Sequence, residues 1–88
     1  MEKKTYKKCL DIALSYKDKY GITVSLDVFK SVMVLTLHKL SRIRKQIERY
    51  TDVNTYIPLL FNDCLYEHYM FSLFEKLEGA DRNKRTVI

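Results

Sequence analysis

A row of cations near the middle of the chain has the clearest potential chemistry. The segment HKLSRIRKQIERY, residues 38–50, carries His38, Arg42, Lys45 and Arg49 at intervals of four, three and four residues. On a helix this spacing places all four on one side, over roughly 16 Å. Cationic side chains in such a row can contact several phosphates at once. We therefore predict a nucleic-acid-binding surface here, with Lys39 at its flank and DNA or RNA as the ligand.

A second basic segment lies near the N-terminus. The sequence KKTYKK, residues 3–8, places Lys4 and Lys8 beside Tyr6. Basic groups next to an aromatic ring can hold a nucleic-acid backbone and stack a base. We assign both lysines to the predicted surface, whereas Tyr6 has the spacing of a residue at the rim of the core. The alternative for both segments is a solvated helix face, and cations near the C-terminus of a helix also suit its dipole.

Two further site types have weaker support. Cys64 and His68 are four residues apart, and Cys9 and His38 would complete a set of zinc ligands. The four lack the closely spaced pairs of established zinc motifs, so we predict no metal and no cofactor. Asp63 and Glu67 form an i, i+4 pair that is more often solvated than catalytic, and the two glycines are too isolated for a phosphate loop. We predict that the protein is not an enzyme.

The segment around Gly21 has the order helix, glycine turn, helix. A helix-turn-helix needs a small residue before the glycine and apolar residues after it. Lys17, Asp27 and Lys30 occupy those positions. We therefore do not predict a standard recognition helix.

Composition favours a small helical domain. The chain has 88 residues, of which 47% are hydrophobic and 31% charged, and these fractions are typical of a globular protein. Two glycines and one proline are too few for many turns. We predict an all-α fold, a three-helix bundle with a long middle helix. The net charge of +5 favours nucleic acid or an acidic protein as partner.

Hydrophobic spacing and end signals give the element bounds. The first helix is predicted from about Lys3 to Tyr20 and stops at Gly21. The second is predicted from Leu26 to Tyr50, with Ser25 as its N-cap. The third should begin between Asn54 and Pro58 and end near Glu78. We divide the chain into one helical domain, residues 1–79, and a polar basic tail, residues 80–88.

The third helix has more apolar residues than two neighbouring helices can cover. Either this helix is central and the other two wrap it, or a partner covers the excess. Such an excess on a small chain usually indicates a partner. We predict an interface along one stripe, which consists of Leu59, Tyr66, Met70, Leu73 and Leu77. The expected partner is a second copy of the chain, which would give a homodimer. This stripe also supports an alternative function, a protein-binding inhibitor or adaptor that docks an apolar helical face on another macromolecule.

The sequence shows neither a signal-peptide pattern nor a run of roughly 18 apolar residues. We therefore expect a soluble, cytoplasmic protein without a membrane partner, in which Cys9 and Cys64 are reduced. Together with the cationic row, these features predict a small non-enzymatic regulatory protein that binds nucleic acid mainly through phosphates.

Overall fold

The protein, in a computed structural model, consists of three α-helices. The structure describes the backbone of residues 1–86 and the side chains of residues 1–71. The helices are α1 (Lys3–Tyr20), α2 (Leu26–Ile47) and α3 (Val53–Thr86), and the described residues contain no strand. The predicted all-α bundle is confirmed. The predicted long middle helix is not, because α3 has 34 residues and α2 has 22.

The connection between α1 and α2 follows the sequence signals. Gly21 has a φ of 68°, and its N–H donates to the Lys17 carbonyl at 2.9 Å. This left-handed conformation suits a residue without a Cβ, and it closes the last turn of α1. The Ser25 hydroxyl oxygen accepts from the Val28 N–H at 3.2 Å. Both predicted end signals are confirmed.

α2 ends three residues before the predicted position. The N–H groups of Tyr50 and Thr51 both donate to the Ile47 carbonyl, at 2.9 and 3.0 Å, and so form a tight turn. The Asp52 carboxylate then accepts from the Asn54 N–H at 3.1 Å, as an N-cap does. This cap starts α3 earlier than predicted, and residues 48–50 belong to the turn.

α3 continues past Gly79, where the sequence predicted its end. A glycine inside a helix costs only about 1 kcal/mol, and Ala80, Arg82 and Lys84 after it favour a helix. The helix is about 51 Å long at 1.5 Å per residue, close to the 55 Å long axis of the molecule. Much of the predicted polar tail is therefore helical in its backbone.

α3 is the central helix of the bundle. Both α1 and α2 pack on it, and they contact each other little. α1 runs parallel to α3, since Thr5 bonds Asn54 near both helix starts and the Tyr20 ring contacts the Tyr66 ring further along. The buried residues of the core are Cys9, Ala13 and Tyr16 of α1, Phe29, Val32, Met33 and Leu40 of α2, and Ile57, Leu60, Phe61, Cys64 and Leu65 of α3.

Several large apolar residues of α1 and α2 are exposed. They are Tyr6, Leu10, Leu14 and Tyr20 on α1, Leu26 and Leu37 on α2, and Tyr50 after it. Two threonines are buried in their place, Thr5 and Thr36, and the Thr36 hydroxyl donates to the Val32 carbonyl at 2.7 Å. A helix with apolar residues on most sides has several possible stripes, and packing on α3 selects one of them.

Candidate nucleic-acid interface

The outer face of α2 carries most of the predicted cationic row. The buried side of this helix is formed by Phe29, Val32, Met33, Thr36 and Leu40. His38, Arg42 and Lys45 lie on the opposite side, and all three are exposed. The structure therefore places these three side chains together on a solvent-facing surface.

Arg49 does not lie on α2 as predicted. It is exposed in the turn that follows Ile47. Glu48, which precedes it, keeps a right-handed helical conformation with φ −56° and ψ −24°. Arg49 thus follows the end of α2 directly, next to the row that His38, Arg42 and Lys45 form.

The cations of this region differ in their partners. Within the described side chains, Arg42, Lys45 and Arg49 form no ion pair. Lys39 is partly buried, and its Nζ lies 3.5 Å from the Glu67 carboxylate of α3. The Arg44 Nε donates to the Glu48 carboxylate at 2.7 Å. The positive charge of this region that has no acidic partner therefore belongs to the row. Lys39, at the flank of the row, is paired with Glu67.

Lys4 and Lys8 are exposed on α1, but they do not join the row on one side of the bundle. Tyr6 lies between them in sequence. Its ring packs edge-on against the ring of Phe29 in α2, with centroids 5.5 Å apart. Each lysine is two residues from Tyr6, which is about 160° around the helix. Both therefore face away from α2.

Within residues 1–71, positive charge is concentrated at one end of the bundle. There α1 begins, α2 ends and α3 begins, around a cavity of about 450 Å³ lined by residues that include Met1, Leu40 and Val53. Residues 1–10 and 38–58 contribute nine Lys or Arg and three Asp or Glu, a net charge of +6. Residues 11–37 and 59–71 contribute three and five, a net charge of −2. The cationic row and both predicted lysines of α1 belong to this basic end.

The Cys and His residues are not arranged as a ligand set. Cys9 and Cys64 are buried in the core, and burial raises the pKa of the Cys9 thiol to about 11. His38 lies on the outer face of α2, on the side away from that core. Among the described residues, no group of three or more His, Cys, Asp or Glu is placed to hold a metal ion.

The predicted apolar stripe lies on the outer face of α3. Leu59, Tyr66 and Met70 are exposed. At helical spacing they face away from the buried Phe61 and Leu65. Leu73 and Leu77, which complete the predicted stripe, have side chains outside the described residues. The described part of the stripe is thus an apolar surface open to solvent.

Two features of the surface were not predicted from the sequence. Tyr50 is 87% exposed, in the turn after α2. The Asp52 cap was the signal that a helix ends before it. A groove of about 500 Å³ also lies between α2 and α3, over the buried Cys64 and between the exposed Leu35 and Phe71.

No protein-family model, curated protein or solved structure matches this chain. Within the part of the chain that the structure describes, none of the helices is both long and apolar enough to cross a membrane. The function is therefore inferred from the chain's own residues.

Proposed function

We propose that this protein is a small, non-enzymatic, cytoplasmic regulator that binds nucleic acid through the outer face of α2. One observation carries the proposal: Arg42 and Lys45 on the outer face of α2 and Arg49 in the turn after it are exposed and have no acidic partner among the described side chains. Each cation that meets a phosphate releases condensed counterions, which drives binding at moderate salt. The net charge of +6 at this end of the molecule attracts the same ligand over a longer range.

The row supports recognition of the backbone rather than of sequence. Phosphate contacts fix position and orientation but carry no base information. His38 extends the row along α2. Lys39 contributes less because Glu67 already holds its ammonium group. We therefore propose largely sequence-independent binding, with Lys4 and Lys8 as more distant contacts around the same end.

The test is a triple variant, Arg42→Ala with Lys45→Ala and Arg49→Ala. We expect weaker binding to every nucleic acid tested, and a salt slope of log K lower by roughly two to three units. Fluorescence anisotropy with single- and double-stranded DNA and RNA at two salt concentrations measures both quantities. Helicity should stay unchanged, because all three side chains are exposed and alanine favours helices.

A matched control removes the same charge elsewhere. Lys17, Lys19 and Lys30 are exposed outside the basic end and form no ion pair with a described side chain. Their triple alanine variant should bind much closer to wild type. An equal loss in both variants would show that net charge, not this surface, binds the ligand. No binding by the wild type at low salt would end the proposal.

The second candidate is a protein-binding inhibitor or adaptor that docks the outer stripe of α3 on another macromolecule. Its support is the exposure of Leu59, at 62%, with Tyr66 and Met70 on the same face.

A homodimer through this face is the simplest form of this second candidate. Sedimentation equilibrium should then give twice the 10.5 kDa chain mass for wild type. Tyr66→Glu with Met70→Glu should return the single-chain mass, with helicity kept because both residues are exposed. A wild type that stays at 10.5 kDa at high concentration excludes the dimer.

A further inference from the structure

Tyr50 is the most exposed large apolar side chain in the described part of the molecule. It follows Arg49 directly, in the turn between α2 and α3. Its exposure arises because α2 ends at Ile47, so the ring lies beyond the packed core. An aromatic ring is thus held in water at the end of the cationic row.

The other six tyrosines have packing partners. Tyr6, Tyr16, Tyr20, Tyr66 and Tyr69 all take part in ring contacts, and Tyr56 packs against the core. Tyr50 has no ring contact and no side-chain hydrogen bond with the described side chains. Its ring is therefore available to a ligand.

The turn fixes the backbone of Tyr50 relative to the end of α2. The Tyr50 N–H donates to the Ile47 carbonyl at 2.9 Å, and the next N–H, of Thr51, donates to the same oxygen at 3.0 Å. The Asp52 cap holds the following residues at the start of α3. Lys45 and Arg42 precede Tyr50 by five and eight residues, on the last turns of α2. Cations for the phosphates of a strand and a ring for one of its bases therefore lie close together in the chain.

We propose that Tyr50 stacks an unpaired base, and that the preferred ligand of this surface is single-stranded nucleic acid. This inference rests on the proposed function. In a duplex each base is stacked on its neighbours and offers no free face, whereas a single strand can place a base on an aromatic ring. Cations that track the backbone beside an aromatic ring are the usual arrangement of single-strand binding surfaces.

The experiment compares Tyr50→Leu and Tyr50→Phe with wild type. The ligands are single-stranded and double-stranded oligonucleotides that carry equal charge. Tyr50→Leu should weaken single-strand binding roughly 5- to 100-fold, the effect of removing one stacked base, and should leave duplex binding within about twofold. Tyr50→Phe should bind like wild type because the ring remains. The salt slope should stay unchanged in both variants, since no phosphate contact is lost.

Tyr20→Leu serves as the control, because Tyr20 is also exposed but lies at the other end of α1; it should bind single strands like wild type. Unchanged single-strand binding by Tyr50→Leu, with a loss in the triple arginine–lysine variant, would overturn the stacking proposal and leave the phosphate surface intact. Equal wild-type affinity for duplex and single strand would overturn it as well. No binding of any nucleic acid by the wild type would overturn both proposals.

Discussion

The interfaces that α1 and α2 form with α3, called the polar seam and the apolar seam below, are held together by different interactions. Between α1 and α3, the Thr5 hydroxyl donates to the Asn54 side-chain oxygen at 3.3 Å, and the Tyr16 hydroxyl donates to that of Asn62 at 3.2 Å. Between α2 and α3 the contact is apolar, with the Phe29 and Phe61 rings 5.3 Å apart. Lys39 and Glu67 form an exposed polar contact across this second seam.

This difference bears on how the candidate surface is positioned. Hydrogen bonds are directional and so fix the register of α1 along α3. Apolar packing depends on volume and shape, and it specifies register less strictly. The cationic row lies on α2, so its position depends mainly on the apolar seam. Substitutions at the apolar seam and at the polar seam should therefore change the free energy of unfolding by different amounts.

The largest effect is expected from the apolar seam. Leu40 is buried beside Val53 and Ile57, whereas Leu37 on the same helix is 41% exposed. Leu40→Ala should lower the free energy of unfolding by about 2–5 kcal/mol, because it removes buried methyl groups and leaves a cavity. Leu37→Ala should lower it by less than about 1 kcal/mol. Urea denaturation followed by circular dichroism gives both values.

Leu40→Ala and Leu37→Ala make the same chemical change on the same helix. A difference between their unfolding free energies therefore reflects the difference in burial. Equal losses would mean that α2 is rotated relative to its placement here. A rotated α2 would also change which cations face outward.

A smaller effect is expected from the polar seam. Tyr16→Phe removes the hydroxyl that bonds Asn62 and leaves the ring in place. The cost should be about 0.5–1.5 kcal/mol at neutral pH. Tyr20→Phe, at an exposed ring with no hydrogen bond to a described residue, should cost less than about 0.5 kcal/mol. A Tyr16→Phe protein as stable as wild type would show that ring packing, not the hydroxyl, holds this seam.

The same tyrosine should make stability depend on alkaline pH. Burial, with a smaller effect of nearby Tyr20, raises the pKa of Tyr16 from 10.0 to about 12. Its neutral form is thus favoured in the folded chain, and the unfolded chain loses its proton first. The contribution is complete below pH 10 and falls as the pH rises to about 12. Denaturation curves across this range should show a shallower loss for Tyr16→Phe than for wild type. Parallel curves would contradict the assignment.

The sequence predicted element types well and faces less well. Gly21 and Ser25 set helix ends through local backbone and side-chain bonds, which depend only on nearby residues. The end of α2 depended on Asp52, a cap that belongs to the next helix. The exposure of Leu10 and Leu14 depended on which stripe meets α3, and tertiary packing decides that choice. Arg42 and Lys45 were predictable because they lie opposite the main apolar stripe of α2, which is the stripe that packs on α3.

The smallest effect concerns the ion pair that crosses the apolar seam. Lys39 and Glu67 are 3.5 Å apart, and both side chains are substantially exposed. A double-mutant cycle with Lys39→Met and Glu67→Gln should give a coupling of about 0.2–1 kcal/mol, and salt should reduce it. A coupling well above this range would mean that the pair helps to set the position of α2.

The pair also connects the seam to nucleic-acid binding. Glu67→Gln should release Lys39 and remove a negative charge near the row, so nucleic acid should bind slightly more tightly, by about twofold for a shift of a few tenths of a kcal/mol. Lys39→Met should weaken binding less than Arg42→Ala, because Lys39 must leave Glu67 before it can meet a phosphate. Anisotropy titrations of these variants at one low salt concentration rank the three changes. If Lys39→Met weakens binding more than Arg42→Ala, the ligand lies along the seam between α2 and α3 rather than on the outer face of α2.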